Sequence, residues 1–195
     1  MKRALDIVGS IAGLIFITPF TPLIALAIVL DDGLPVFIKL PRVSEGKTIR
    51  VYKFRSMVRG AHDLKGTLQH LNERSDGPFF KITNDPRLTR AGKWLRKFRL
   101  DEFPQFVNVL KGELSLVGPR PHEPEEITRY PSEFERLYLS RAGVTGLSQV
   151  SGASGLPFQR ELELDMLYLN RQSLWFDTKI LAKTVSIFFS DPSGV

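Results

Sequence analysis

The stretch that decides the fold is IVGSIAGLIFITPFTPLIALAIVL, residues 7–30, in which no charged residue occurs. A helix of this length rises about 36 Å, enough to cross a bilayer core of roughly 30 Å. The segment therefore predicts contact with a membrane. A cleaved secretory signal is the first rival, but the apolar run is longer than a usual signal core and continues past Ala25-Leu26-Ala27, where cleavage would fall.

Two prolines interrupt the middle of this run, in the segment ITPFTPL. Pro19 and Pro22 lack an amide hydrogen and clash with the preceding turn, so the helix is expected to kink or break there. Two half-helices of about 18 Å each are too short to span a bilayer but could enter and leave by one face, as a re-entrant hairpin. A kinked spanning helix is equally compatible with the prolines, because Thr18 and Thr21 are available to bind freed carbonyl groups.

Charged residues flank the apolar run on both sides. Lys2 and Arg3 precede it, and the positive-inside tendency places both of its ends in the cytoplasm, which favours the hairpin. Asp6 lies one helical turn from Lys2 and Arg3 and is expected to form a local ion pair with them near the membrane surface. The basic residues that follow the run closely are Lys39, Arg42, Lys47, Arg50, Lys53, Arg55 and Arg59.

The composition limits the classes of function. With 195 residues the chain is long enough for one domain with a substantial core and too short for two large ones. The net charge of +6 and the pI of about 9.7 predict an anionic partner, which charge alone leaves open among nucleic acid, phospholipid headgroups and a phosphorylated substrate. Because cysteine is absent and the three histidines are scattered, a zinc or other soft-metal site is not expected.

The remaining sequence predicts short strands and helices. PVFIKL and TIRVYKF, on either side of a turn at residues 44–46, have the alternation of a β-hairpin. The polar stretch from Asn72 to Arg90 is rich in glycine and proline, which predicts a long loop. The C-terminal SLWFDTKILAKTVSIFF has helical apolar spacing and is expected to pack on the core with partial membrane contact. Further helices are expected over residues 59–72 (interrupted at Gly66), 91–98, 101–110, part of 124–139, and 159–170.

Two adjacent acids, Asp101 and Glu102, stand inside the otherwise apolar part of RLDEFPQFVN, residues 99–108. One carboxylate could act as nucleophile or base while the other holds Mg²⁺, a cation that prefers oxygen ligands and phosphate. The structural alternative is that Asp101 is only a helix N-cap, with Glu102 favoured in the first turn. Six basic residues and no acid precede the pair and concentrate phosphate-attracting charge beside it: Arg87, Arg90, Lys93, Arg96, Lys97 and Arg99.

Together these segments resemble the bacterial sugar transferase family, the monotopic phosphoglycosyl transferases, in the small form that consists of little besides the catalytic domain. The block from DEFPQ to GPRP is long, free of gaps and specific. The resemblance runs nearly end to end, through KRALDIVGS, the central Thr18-Pro19, PVF, YKFRSM, LRKFRLDEFPQFVNVLKGELSLVGPRP, AGVTGLSQVSG and YLNRQSLWFDTKIL.

The resemblance implies transfer of a sugar 1-phosphate from a UDP-sugar to polyprenol (undecaprenyl) phosphate, with release of UMP, as the first membrane step of surface glycan or glycoconjugate synthesis. Asp101 is then the covalent nucleophile that forms a phosphosugar-aspartyl intermediate, and Glu102 binds the Mg²⁺ cofactor. Direct displacement, with Asp101 acting only as a base, is the alternative route. The residues expected at the substrate phosphates are Arg96, Arg120 and Arg141, with Lys53 and Arg55 shaping the site beside them.

The resemblance also favours the re-entrant hairpin, broken at Thr18-Pro19, with Pro22 as an additional break that widens the bend. The expected fold class is therefore α+β, mainly helical with a small β-hairpin sheet. Residues 1–33 are expected to form the re-entrant membrane helix-break-helix. Residues 34–195 are expected to form a catalytic domain with interfacial amphipathic helices, on the cytoplasmic face of the bacterial inner membrane.

The alternative from a different class is a basic, membrane-anchored protein that binds nucleic acid or acidic lipid and performs no chemistry. In LRKFRLDEF the basic residues adjoin two acids that would repel a polyanion unless a metal intervened, so nucleic acid is not expected as a partner. The expected partners are a UDP-sugar, polyprenol phosphate and lipids of the cytoplasmic leaflet. The choice between a monomer and a homo-oligomer stays open.

Overall fold

The computed structural model describes residues 1–152 and 155–190, while residues 153–154 and 191–195 of the expected catalytic domain lie outside the described residues. The described chain is mainly helical with small sheets, so the predicted α+β class is confirmed. The strands are β1 (Phe37–Ser44), β2 (Lys47–Phe54), β3 (Ser115–Val117) and β4 (Gly143–Thr145). The helices are α1 (Lys2–Ile17), α2 (Thr21–Asp32), α3 (Leu64–Thr67), α4 (Arg90–Lys97), α5 (Gln105–Lys111), α6 (Pro124–Ile127), α7 (Glu135–Leu139), α8 (Leu147–Val150), α9 (Phe158–Arg171) and α10 (Leu174–Ser190).

The apolar N-terminal segment forms two helices, α1 and α2, joined by a 3₁₀ turn at Thr18–Phe20. The Thr18 hydroxyl donates to the Leu14 carbonyl oxygen at 2.7 Å, and the Thr21 hydroxyl donates to the carbonyl four residues earlier at 3.0 Å. Pro22 lies in the first turn of α2, where a missing amide hydrogen costs little, and α2 continues through it. Pro22 therefore adds no second interruption, and the break is confined to the 3₁₀ turn.

Both ends of the apolar segment contact the remainder of the described chain. At the N-terminal end, the Lys2 ammonium lies 2.7 Å from the Asp177 carboxylate in α10. At the C-terminal end, the Arg55 guanidinium lies 3.2 Å from the Asp32 carboxylate. Because α1 packs on α5 and β3 while α2 packs on α4, both helices contact the same body of protein.

The side of the apolar segment that faces away from this body is exposed. By length and composition alone, Lys2–Asp32 is able to cross a membrane. A continuous exposed apolar surface of this kind marks contact with a membrane or another protein. The large apolar side chains exposed along the segment include Val8, Ile11, Ile15, Phe16, Phe20, Leu23, Leu26 and Leu30.

A buried acid, Asp6, fastens α1 to the body of the protein and is only 2% exposed. Its carboxylate accepts hydrogen bonds from the Ser115 hydroxyl at 2.9 Å and from the Leu116 amide at 2.8 Å, both in β3. Lys2 instead pairs with α10, and Arg3 donates to two carbonyl groups of α5. The expected local ion pair of Asp6 with Lys2 and Arg3 is therefore wrong, because each partner finds a tertiary contact.

The predicted β-hairpin is confirmed. β1 and β2 pair in antiparallel register, with Phe37 opposite Phe54 and Ser44 opposite Lys47. The turn between them uses Gly46 at φ 69°, a left-handed backbone conformation that glycine adopts without steric cost. β3 and β4 form a separate parallel pair. The C-terminal end of β2 and the loop after β3 both lead to the cavity described below.

Three predicted helices are shorter in the structure. Within residues 59–72 only the single turn α3 and a 3₁₀ turn form, and none of their side chains is buried, so no packing stabilises a longer helix. The helix expected over 101–110 begins only at Gln105, after Pro104. Residues 124–139 divide into α6 and α7, separated by Pro131 and a 3₁₀ turn.

Candidate active site

The paired acids lie in a 3₁₀ turn, Leu100–Glu102, between α4 and α5. The residue before this turn, Arg99, has φ 51°, a left-handed conformation that is strained for a residue with a side chain and that clusters at functional sites. No side chain caps the turn, and the residue that precedes α5 is Pro104. The interpretation of Asp101 as a simple helix N-cap is therefore not supported.

Glu102 is paired with a lysine from the neighbouring strand β2. Its carboxylate oxygen Oε1 accepts a hydrogen bond from Lys53 Nζ at 2.6 Å, and its side chain is 36% exposed. Partial burial pushes the pKa of Glu102 upward, but Lys53, together with Arg120 and Arg99, outweighs burial and lowers the pKa to about 2. Glu102 is therefore ionised at neutral pH, with Oε2 left available for a further ligand.

Asp101 is more enclosed than Glu102, with 5% of its surface exposed. Burial raises the pKa of Asp101 above its usual value and the negative charge of Glu102 acts in the same direction, while Lys53 and Arg96 oppose the shift. The two adjacent carboxyl groups thus differ in basicity. Such a difference is what an enzyme uses when two acids take two roles.

Both acids line a cavity of about 1130 Å³ that crosses the basic face of the protein. Arg96 reaches it from α4 and donates to the Ser56 hydroxyl at 3.3 Å. Arg120 reaches it from the loop after β3 and bears on the pKa of Glu102. The predicted site residues that the structure brings together along this cavity are Lys53, Arg55, Arg96, Asp101, Glu102 and Arg120.

Arg55 lines the cavity but its guanidinium is largely engaged elsewhere. The side chain is 4% exposed, and its donors reach the backbone carbonyl groups of Asp32, Gly33 and Leu34 at the end of α2. These contacts satisfy carbonyl groups that a helix C-terminus leaves without partners. Arg55 therefore joins the apolar N-terminal segment to the cavity wall.

Arg141 lies apart from the other predicted site residues. It lines a second cavity, of about 450 Å³, beside Lys2 and Arg136. Its guanidinium lies 2.9 Å from the Glu45 carboxylate in the turn between β1 and β2, and both side chains are substantially exposed. The structure thus assembles Arg96 and Arg120 with the paired acids and places Arg141 in a different part of the protein.

Two acids of α9 at the site were missed by the sequence reasoning. Asp165 accepts hydrogen bonds from the Arg120 amide at 2.9 Å and the Ser148 amide at 3.2 Å, so it fixes the loop that carries Arg120. Glu161 lines the main cavity one helical turn away. A signal was present in the sequence, because these acids occupy core-facing positions of an amphipathic helix. The buried residues of α9 are Phe158, Glu161, Leu162, Leu164, Asp165 and Tyr168.

The fold and the site together define a class: an α+β domain with an exposed apolar N-terminal segment, whose paired carboxylates line a cavity rich in basic residues. The family model for bacterial sugar transferases matches residues 1–191, and the chain belongs to that family. The predicted resemblance is confirmed.

Three curated relatives illustrate the similarity. The galactosyl transferase CpsE of Streptococcus agalactiae is 40% identical over 95% of this chain and 41% of its own length. The undecaprenyl-phosphate galactose phosphotransferase of Salmonella typhimurium is 38% identical, over 96% of this chain and 40% of its own length. The UDP-glucose:undecaprenyl-phosphate glucose-1-phosphate transferase of Escherichia coli is 38% identical, over 95% of this chain and 39% of its own length. The chain thus spans about two fifths of the length of these relatives.

Proposed function

We propose that this chain transfers a sugar 1-phosphate from a UDP-sugar to polyprenol phosphate and releases UMP. The observation that carries the proposal is the enclosed Asp101 carboxylate in a cavity with Lys53, Arg96 and Arg120. Similarity to relatives named as undecaprenyl-phosphate galactose and glucose transferases supports the reaction class. The non-enzymatic binding protein is the weaker candidate, since a polyanion gains nothing from a buried carboxylate.

In the first step, an oxygen of Asp101 attacks the phosphorus that bears the sugar. The new bond joins the Asp101 oxygen to phosphorus, the bond from that phosphorus to the bridging oxygen breaks, and UMP leaves with the bonding electrons. Arg96 and Arg120 bind phosphate oxygens and stabilise the charge that develops on them, a task that suits the forked donors of arginine. The raised pKa of Asp101 makes its ionised form a stronger nucleophile.

Glu102 fits the requirements of a Mg²⁺ ligand. It is ionised, it is partly exposed to the cavity, and Lys53 occupies only Oε1. Mg²⁺ usually takes one or two protein carboxylates and completes its shell with water and substrate phosphates. When bound, the cation would offset charge on the diphosphate of the donor. No group of three or more candidate metal ligands occurs in the described ranges.

In the second step, an oxygen of polyprenol phosphate attacks the same phosphorus. The bond from phosphorus to Asp101 breaks, the carboxylate is restored, and the sugar leaves on a polyprenyl diphosphate. Arg55 links the end of α2 to the cavity, so the site lies close to the apolar segment. We infer that this closeness of the cavity to the apolar segment places the reaction at the depth where a lipid phosphate meets a soluble nucleotide sugar, on the cytoplasmic side of the bacterial inner membrane.

Release of UMP tests the proposal directly. Purified protein in nanodiscs, supplied with undecaprenyl phosphate, Mg²⁺ and a panel of UDP-sugars, is expected to release UMP with at least one donor and to stop when EDTA removes the metal. Omitting the acceptor is the control and should leave at most one UMP per protein. Absence of UMP release with every donor, together with salt-dependent binding of nucleic acid or acidic vesicles, would establish the binding protein instead.

The side of the membrane occupied by each end of the apolar segment is a further prediction. The chain has no cysteine, so single cysteines report cleanly. Ala4→Cys and Lys47→Cys, both at exposed positions, are expected to react with an impermeant maleimide only from the cytoplasmic side. Leu23→Cys, 68% exposed in the protein, is expected to stay unreacted until detergent is added. Labelling of Ala4→Cys from the periplasm would identify a spanning helix.

A further inference from the structure

Two acids of α9, Glu161 and Asp165, lie one helical turn apart and are equally buried, at 2% exposure each. Asp165 accepts two backbone hydrogen bonds, so its burial is explained by the structure it holds. Glu161 faces the main cavity instead. The mechanism above does not use Glu161, and its burial needs a separate explanation.

The Glu161 carboxylate has cationic neighbours but lacks close hydrogen bonds. Its oxygens lie 3.7 Å from Arg74 Nη1, 3.9 Å from Arg120 Nε and 4.0 Å from His122 Nε2, all beyond hydrogen-bond distance. None of these three cationic groups lies within 3.5 Å of a Glu161 oxygen. Leaving a buried carboxylate without hydrogen bonds is costly, and such groups in native proteins call for a functional reason. A ligand that brings hydrogen-bond donors would supply the missing contacts.

The charges around Arg120 indicate which part of a ligand reaches Glu161. Arg120 Nε lies 3.9 Å from Glu161, and the charges of Glu161 and Glu102 both raise the pKa of the guanidinium, against the effect of burial. Phosphates are attracted to the side where Arg96 and Lys53 add positive charge, and Glu161 repels them. The group beside Glu161 is therefore a neutral part of the donor that carries hydroxyl or amide hydrogens.

Two aromatic rings that line the main cavity, Phe79 and Phe80, are already covered, which favours a sugar over a nucleobase beside Glu161. The Phe79 ring is stacked on His122 at 4.6 Å and lies under the Arg74 guanidinium at 5.0 Å. The Phe80 ring is covered by Arg87 at 4.9 Å, with Lys65 at 5.8 Å. A base would need an open ring face to stack on. Sugar hydroxyls need only acceptors, and a carboxylate is a strong one.

We propose that Glu161 accepts hydrogen bonds from hydroxyl groups of the sugar that is transferred and so contributes to the choice of donor. The assignment rests on the proposed transfer reaction and adds a sugar-binding residue to it. Glu161 binds through hydrogen bonds alone and takes no part in making or breaking the bonds to phosphorus. Arg120, between Glu102 and Glu161, would then contact both the phosphate and the sugar ends of the donor.

The test combines one substitution with donors that lack single hydroxyl groups. Glu161→Gln keeps the size of the side chain and removes its charge, and it is expected to lower kcat/KM for the preferred UDP-sugar roughly 10- to 100-fold, the effect of losing a hydrogen bond to a charged group. Glu163→Gln, on the exposed face of the same helix and paired there with Arg160, is the matched control and is expected to keep wild-type activity. Inhibition by UMP should be the same in all three proteins, which also reports on folding.

Deoxy donors then locate the interaction. One deoxy-sugar analogue should be roughly tenfold or more poorer than its parent with the wild type, and this penalty should be clearly smaller with Glu161→Gln, because the neutral amide oxygen is a weaker acceptor for the same hydroxyl group. Unchanged kcat/KM in Glu161→Gln overturns the assignment. Weaker inhibition of Glu161→Gln by UMP also overturns it, because that result places the nucleoside beside Glu161. The assignment fails as well if the wild type uses every deoxy-sugar analogue as well as the parent donor. In those cases the transfer reaction itself stands. A wild type that releases no UMP from any UDP-sugar overturns the proposed function, and this assignment with it.

Discussion

Asp101→Asn is expected to lower the rate of UMP release about 1,000-fold or more, because an amide cannot form the bond to phosphorus and removal of a nucleophile costs several orders of magnitude. The measurement is UMP release in the first turnover and at steady state, with saturating UDP-sugar and undecaprenyl phosphate. The first-turnover rate and the steady-state rate should fall by the same factor. If Asp101 acts only as a base for direct displacement, the loss is roughly 100- to 10,000-fold, which overlaps this range, but no covalent species forms, so the covalent species separates the two routes.

Loss of folding is not expected to explain the inactivity of Asp101→Asn. Burial raises the pKa of Asp101, with Glu102 adding to the shift, so the folded protein binds this proton more tightly than the unfolded chain. The ionised carboxylate therefore lowers the free energy of unfolding increasingly as pH rises above about 3.9, its unfolded value. A neutral asparagine removes that cost. The melting temperature of Asp101→Asn at pH 7 should equal or exceed that of the wild type.

A covalent intermediate gives the decisive readout. Wild-type protein incubated with UDP-sugar and Mg²⁺, without acceptor, is expected to gain the mass of one sugar phosphate on the peptide that contains Asp101. Addition of undecaprenyl phosphate should remove that mass. Asp101→Asn should gain none. Full transfer activity without a covalent species at residue 101 would favour direct displacement and refute the assignment of the nucleophile.

The features that were predictable from sequence are those whose determinants are local. The proline-interrupted apolar run predicts two helices and an interruption, and the charge pattern around Asp101 and Glu102 predicts a basic site. Alternation around Gly46 predicts the hairpin and its turn. In each case the residues that decide the structure lie within about one or two turns of one another, so no knowledge of tertiary contacts is needed.

Other features depend on contacts that sequence spacing does not reveal. Lys2 has one acid, Asp6, within one turn, but it pairs with Asp177, far along the chain, because α1 and α10 both pack against β3. Arg55 has the charge and the donors of a phosphate ligand, but these donors bind carbonyl groups at the end of α2. Pro22 adds no break because it falls in a first helical turn. Tertiary packing decided the outcomes for Lys2 and Arg55, and the start of α2 at Thr21 decided the outcome for Pro22.

Arg120 and Arg141 were both predicted at the substrate phosphates, but the structure places them in different cavities. Arg120→Lys is expected to lower kcat/KM for UMP release about 100- to 1,000-fold, as when a preorganised donor to developing charge is removed. The lysine keeps a positive charge near Glu161 and Glu102, so folding should be preserved. Mg²⁺ dependence is measured in parallel, to detect any indirect loss of the metal.

Arg141→Lys is the matched control, the same change at an arginine that the structure places in the second cavity. Its partner is the exposed Glu45 at 2.9 Å, and exposed ion pairs contribute at most about 1 kcal/mol, so activity is expected within about threefold of the wild type. Equal losses of kcat/KM in the two variants would contradict the separation of the two cavities and would indicate that Arg141 also contacts the substrate. A loss confined to Arg120→Lys would assign the phosphate contact to the loop that Asp165 holds in place, since that acid binds the Arg120 amide.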